Sequence, residues 1–147
     1  MPWVLVLLAL VAGAGLPVQA GVNASMRVYA GRPELAALVN FLVGLLALGA
    51  WILALRLPWP EPGELARAPW WGWTGGLLGA FYVTAVIVLA PRLGVATTIA
   101  LVVAGQMLAA VALDHYGLLG VPVRPVNAWR GLGAALLVAG VVLLRRF

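Results

Sequence analysis

The sequence predicts an all-α integral membrane protein with five transmembrane helices in a single domain, residues 1–147, and three observations predict it. Its 147 residues are 65% hydrophobic and only 9% charged, against roughly 45–50% apolar and about 25% charged in soluble domains. Mean hydropathy is +1.09, which leaves too little polar surface to clothe a water-soluble particle of this size. Five runs are charge-free, or nearly so, over about the 20 residues that a helix needs to cross a hydrocarbon core of about 30 Å.

The first run, residues 3–23, has an apolar core from Trp3 to Leu16, followed by Val18-Gln19-Ala20, which loosely resembles a secretory cleavage site. A signal also needs a basic start, and no Lys or Arg precedes Arg27. The segment is therefore expected to be a retained span. The second run covers residues 35–55. After it, Leu57-Pro58-Trp59-Pro60-Glu61-Pro62-Gly63 cannot continue a helix and is expected to be a surface loop. The third and fourth runs, residues 70–90 and 93–113, flank Pro91-Arg92, which predicts a tight hairpin. The last loop runs from Gly117 to Val126 and contains Pro122 and Pro125. The fifth run covers residues 128–144, with Arg130 near enough to its start to snorkel toward the headgroups beside an interfacial Trp129.

All nine basic residues are arginines, and the formal net charge is +5. They are scattered between apolar runs rather than gathered on one face, which argues against nucleic acid and for contact with anionic lipid headgroups. An odd number of spans places the termini on opposite faces. Arg56, Arg67, Arg124 and Arg130 then share the amino-terminal side, and Arg27, Arg32, Arg92, Arg145 and Arg146 the other, four against five. Orientation is normally set by a clear excess of basic residues on one side. Two readings follow. Either a subtler feature such as Arg145-Arg146 fixes one orientation, or copies insert both ways and pair antiparallel, reproducing the inverted repeats of many secondary transporters.

Polar and small residues inside the spans mark the candidate sites. Gly13-Ala14-Gly15-Leu16-Pro17 predicts a helix break, because Pro17 lacks an amide donor and crowds the carbonyl of Gly13. Gln19 and Asn23 follow at an i, i+4 spacing on one face. A polar substrate cavity and a structural kink with interhelical hydrogen bonds both account for this pattern. Gly72 with Gly76, and Gly75 with Gly79, match the small-xxx-small spacing of close helix packing. Tyr82 needs a partner for its hydroxyl or a wet cavity. Gln106 falls at hydrocarbon depth and must be satisfied internally, as helix glue or as a ligand contact. Asp114 and His115 close the fourth span, where the helix dipole opposes a carboxylate. Arg124 or Arg130 can latch it, and His115 can take part in proton coupling, so latch and coupling both remain open, with the latch favoured by a position near the membrane edge.

Absences bound the chemistry. No acidic residue lies inside any apolar run, so the embedded carboxylate of a cation/proton exchanger is missing. There is no cysteine, one histidine, no Gly-rich phosphate loop, no HExxH and no nucleophile beside a base. Neither an enzyme nor a metal or other cofactor is expected.

Taken together, Leu16-Pro17-Val18-Gln19-Ala20-Gly21-Val22-Asn23, Pro69-Trp70-Trp71-Gly72-Trp73-Thr74-Gly75-Gly76, Gly105-Gln106 and Asp114-His115-Tyr116-Gly117 resemble the YdcZ-like family of bacterial inner-membrane proteins in the drug/metabolite transporter superfamily. The resemblance runs over nearly the whole chain. Pro17, Gln19, Asn23, Trp70, Trp71, Gly75, Gly76, Gln106 and Asp114 match the family pattern. It implies a five-helix module equivalent to half of a ten-helix transporter, with two modules per working unit. Another branch of the superfamily, the small multidrug resistance proteins, uses a buried glutamate that this chain lacks.

The expected function is a bacterial inner-membrane secondary transporter of small polar or amphipathic molecules. It would work by alternating access as an antiparallel homodimer, around a midplane cavity lined by Gln19, Asn23, Tyr82 and Gln106, rocking about the Gly13–Pro17 segment. The alternatives are a non-transporting membrane partner that docks another protein through its glycine-rich third helix, and one half of a heterodimeric transporter. Substrate, coupling ion and direction are not encoded in any recognisable motif.

Overall fold

The computed structural model describes residues 2–146, and every regular element among them is helical. Among the described residues five helices are long and apolar enough to cross a membrane. In chain order the α-helices are α1 (Pro2–Ala30), α2 (Pro33–Ala54), a short α3 (Pro62–Ala66), α4 (Gly75–Leu93), α5 (Val95–Tyr116) and α6 (Ala128–Arg146), with 3-10 turns at Trp70–Thr74 and Leu118–Gly120. The five spans are therefore α1, α2, α4 with its leading 3-10 turn, α5 and α6.

The expected break at Gly13, Gly15 and Pro17 is replaced by continuous helix. α1 is helical over 29 residues with Pro17 inside it. Proline removes one donor and frees one carbonyl, but in hydrocarbon no water competes for the remaining backbone bonds, so a single loss is tolerated. The helix also outruns the expected end near Asn23, because Ala24 to Ala30 contains neither proline nor glycine. At 1.5 Å per residue it is about 43 Å long, longer than the hydrocarbon core, and must tilt or project from it.

Local chemistry sets the other ends. Pro33 occupies the first turn of α2 after an extended Arg32, where its missing N–H costs nothing. At the far end, Leu57 N–H donates to Ile52 O and Arg56 N–H to Leu53 O, a Schellman closure with Arg56 at φ +50° where glycine is preferred. The proline-rich loop is not wholly irregular, since α3 forms one turn behind Pro62. The third span starts as a 3-10 turn, with the Thr74 hydroxyl donating to Trp71 O at 2.7 Å. Pro91-Arg92 does not end the helix: α4 continues through Pro91 to Leu93, and the break before α5 comes at Gly94, whose φ of +83° suits glycine.

Contacts gather into two units, Met1–Pro17 with Arg92–Phe147, and Val18–Pro91; their boundary falls at Pro17 in α1 and at Pro91 in α4. In the second unit Ala36 and Ala37 of α2 pack with Val83 and Ile87 of α4, joined by Ala30 and Tyr82. Lipid is as apolar as these side chains, so small residues that let backbones approach are what holds such helices together. In the first unit α5 packs along α6, and Thr98 and Val141 are buried. Only 6% to 22% of each span is buried.

Gly117 ends α5 in the left-handed region at φ +61°, and a Cβ there would stand 2.6 Å from Val123 Cγ2. Gly117→Ala should therefore lower stability by about 1–3 kcal/mol. Gly131→Ala, which meets nothing within 4 Å, should leave it nearly unchanged. Thermal unfolding of the two variants in detergent checks the difference.

Candidate functional site

Gln19 on α1 and Asn40 on α2 meet in the Val18–Pro91 unit, where the Gln19 side-chain N–H donates to Asn40 Oδ1 at 3.4 Å. With a rise of 1.5 Å per residue, Asn40 stands about 5 Å from the midpoint of α2, well inside hydrocarbon. The pair forms the polar end of an open groove of about 540 Å³, within the roughly 300–1,000 Å³ of small-molecule sites. Its remaining walls are Phe41, Val43, Gly44, Leu45 and Leu48, with no charged group among the lining residues.

The other expected contacts divide between the units. Asn23, one turn beyond Gln19, is 5% exposed. About 40° of helical rotation separates the two residues, enough to turn Asn23 into the interior while Gln19 stays exposed. Tyr82 packs against the Ala36, Ala37, Val83 and Ile87 cluster. Gln106 belongs to the other unit, and its side chain is exposed rather than satisfied internally. It sits in a stretch of α5, residues 105–110, that is exposed throughout. The packing glycines also differ from one another. A Cβ at Gly79 would stand 3.4 Å from the Phe41 ring, whereas one at Gly72, Gly75 or Gly76 would meet nothing within 4 Å. The close packing expected of those three is not found within the protomer, because the 3-10 turn and the start of α4 are largely exposed.

At the end of α5 the chain builds a second polar cluster. Arg130 Nη2 donates to Asp114 Oδ2 in an ion pair, and Arg130 Nη1 donates to Arg124 O at 2.6 Å. Arg124 contributes its backbone rather than its charge, its N–H donating to Asp114 O at 2.7 Å. His115 Nδ1 accepts from Val126 N–H at 3.2 Å, and its ring stands edge-on to Tyr116 at 4.7 Å. Asn127 Oδ1 accepts from Arg130 N–H at 2.9 Å, capping the first turn of α6. The bonds of the cluster tie the end of α5 to the loop that follows it and to the start of α6. That is the geometry of a clasp, with the Asp114 and Arg130 side chains about one-third exposed.

Sequence reasoning misses Asn40. The signal is present, since it is the one amide in an otherwise apolar run from Leu35 to Leu55, and an isolated polar side chain in a span is a site candidate by default.

The family described as "Putative inner membrane exporter, YdcZ" matches residues 4–143. The chain belongs to this family. It is 37% identical over 136 residues to the inner membrane protein YdcZ of Escherichia coli K12, covering 92% of this chain and 90% of that relative. No solved structure matches. Membership and the five apolar helices make this a multi-pass inner-membrane protein with a role in membrane transport.

The clasp carries its own test. Asp114→Asn and Arg130→Gln should each lower stability by about 1–2 kcal/mol. The double variant should lose little more than either single one, because one interaction is being removed. Thermal unfolding of the three variants in detergent gives the cycle.

Proposed function

We propose that the protein is a secondary transporter of small uncharged polar or amphipathic molecules, working by alternating access as an antiparallel dimer. One observation carries the reading: an amide pair, Gln19 with Asn40, at hydrocarbon depth in spans free of any embedded carboxylate. Such a pair offers donors and acceptors without a fixed charge. It suits neutral cargo better than exchange of a cation for protons. Family membership supports the transport role. The near-even arginine count supports insertion in both orientations, and the small buried share of every span leaves ample surface for a second copy. Gly13, Gly15 and Pro17 remain the proposed point of flexure. The helix is continuous there, but it lacks one backbone bond and coincides with a unit boundary. Gln19, Asn23 and Tyr82 are the proposed substrate contacts of one unit, and Gln106 is a separate candidate in the other. Asp114, His115, Arg124 and Arg130 act as a structural clasp rather than as coupling groups.

A second reading, a non-transporting partner, is favoured by the open faces of Gly72, Gly75 and Gly76. The two readings separate in vesicles containing this chain alone. A transporter gives substrate-dependent flux, reduced about tenfold by Gln106→Leu, the equivalent of one well-made hydrogen bond. A docking protein gives no flux and loses its partner on Gly76→Leu. Orientation is measured with Glu64→Cys, the only thiol in a chain that has no cysteine. Labelling of about half the copies by an impermeant maleimide before permeabilisation is expected from dual insertion, and all-or-none labelling rules out the antiparallel homodimer.

A further inference from the structure

The groove between Gln19 and Leu48 is built like a binding site for one kind of molecule. An amide side chain has two donors and two acceptor lone pairs, so the Gln19–Asn40 pair has eight places for hydrogen bonds by this count and the contact between them uses one of each kind. At 3.4 Å that contact is longer than the usual range for N–H···O. In the middle of a bilayer no water supplies the remainder. Beyond the pair, the groove becomes apolar along one face of α2. Asn40, Gly44 and Leu48 follow at successive i+4 steps, flanked by Phe41 and Leu45. Gly44 leaves the floor open, since a Cβ there would meet nothing within 4 Å. From Asn40 to Leu48 the floor runs about 12 Å. Leu45 and Leu48 are 66% and 64% exposed, so the apolar half of the groove is open along its side.

We propose that this groove binds an uncharged amphiphile, reached laterally from the bilayer. Its donor–acceptor head, a carboxamide, urea or hydroxyl, sits on Gln19 and Asn40, and its short apolar tail lies along Gly44 to Leu48. The inference rests on the transporter reading for its purpose but not for its geometry. It goes beyond that reading by seating the head on Asn40 and Gln19 and the tail along Gly44 to Leu48, and by making the bilayer the route of entry. A cationic or anionic head meets no counter-charge among the lining residues and would lose its hydration in reaching them.

The test is photoaffinity labelling of the full chain in phosphatidylcholine nanodiscs. Three probes share one diazirine-bearing octyl tail and differ in their heads: N-alkylacetamide, alkylammonium and alkylsulfonate. The acetamide probe should label residues 41–48, be displaced by unlabelled N-octylacetamide, and exceed both charged probes. Asn40→Leu and Gln19→Leu should each reduce that labelling by about three- to thirty-fold, while Asn40→Gln should keep most of it. Unchanged thermal unfolding identifies folded variants, and Leu45→Trp, which fills the apolar half without touching the amides, gives an independent loss. Equal labelling by all three probes, or labelling unaffected by Asn40→Leu, means that the groove holds only lipid and overturns the proposal. So does protection of residues 41–48 by a second copy in cross-linked dimers. Because labelling needs no flux, a negative transport assay with positive labelling would sink the transporter reading and leave the site standing.

Discussion

A polar group placed in hydrocarbon has no water to bond, and nearly every detail of this chain answers to that constraint. The backbone meets it by remaining helical through every span, even across Pro17 and Pro91. The hydroxyls of Thr74 and Thr98 meet it by returning to carbonyls of their own or the preceding turn, Trp71 and Gly94. The charged groups at the end of α5 meet it with one another, in a clasp where guanidinium, carboxylate, imidazole and five backbone groups are all engaged. Gln19 and Asn40 meet it only in part, and that shortfall distinguishes a site from a structural contact.

The same constraint explains what the packing looks like. Water drives soluble cores together by expelling apolar surface, but acyl chains offer apolar side chains much the same environment as a protein interior does. The buried cluster of the Val18–Pro91 unit is accordingly small, with two alanines of α2 against Val83 and Ile87. Broad exposed faces on every span are then a normal condition in lipid, whereas on a soluble protein they would mark an aggregation hazard.

The number of spans, their order and most of their boundaries were legible because hydropathy reports a solvent, and the solvent is what decides whether a run of about 20 residues becomes a helix here. What escaped depended on local backbone chemistry. Pro17 and Pro91 signal breaks in the sequence because each removes a backbone donor, yet the helices run through both, and bilayer thickness alone does not show that the first helix continues past Asn23 to Ala30. The short turn behind Pro62 was hidden inside a loop dominated by prolines. At the site, Gln19 was visible beside its glycines and proline. Asn40 was passed over because it stands alone, and no spacing within α2 points across to α1. The clasp was half visible: opposite charges suggested Asp114 with an arginine, but only geometry distinguishes the charge of Arg130 from the backbone of Arg124.

The clasp also bears on how the chain is assembled. α6 is the least apolar of the five spans and opens with Arg130 in its first turn, so on its own it has the weakest claim to partition into the bilayer. Translation delivers α5 first, and with it Asp114 at the interface. When Arg130 emerges, its counter-charge is already in place, and the energetic penalty of bringing a guanidinium to the membrane edge is met at the moment it arises. The clasp thus gives the last helix a partner at the membrane edge that its own composition does not supply, and it ties α5 and α6 into one unit.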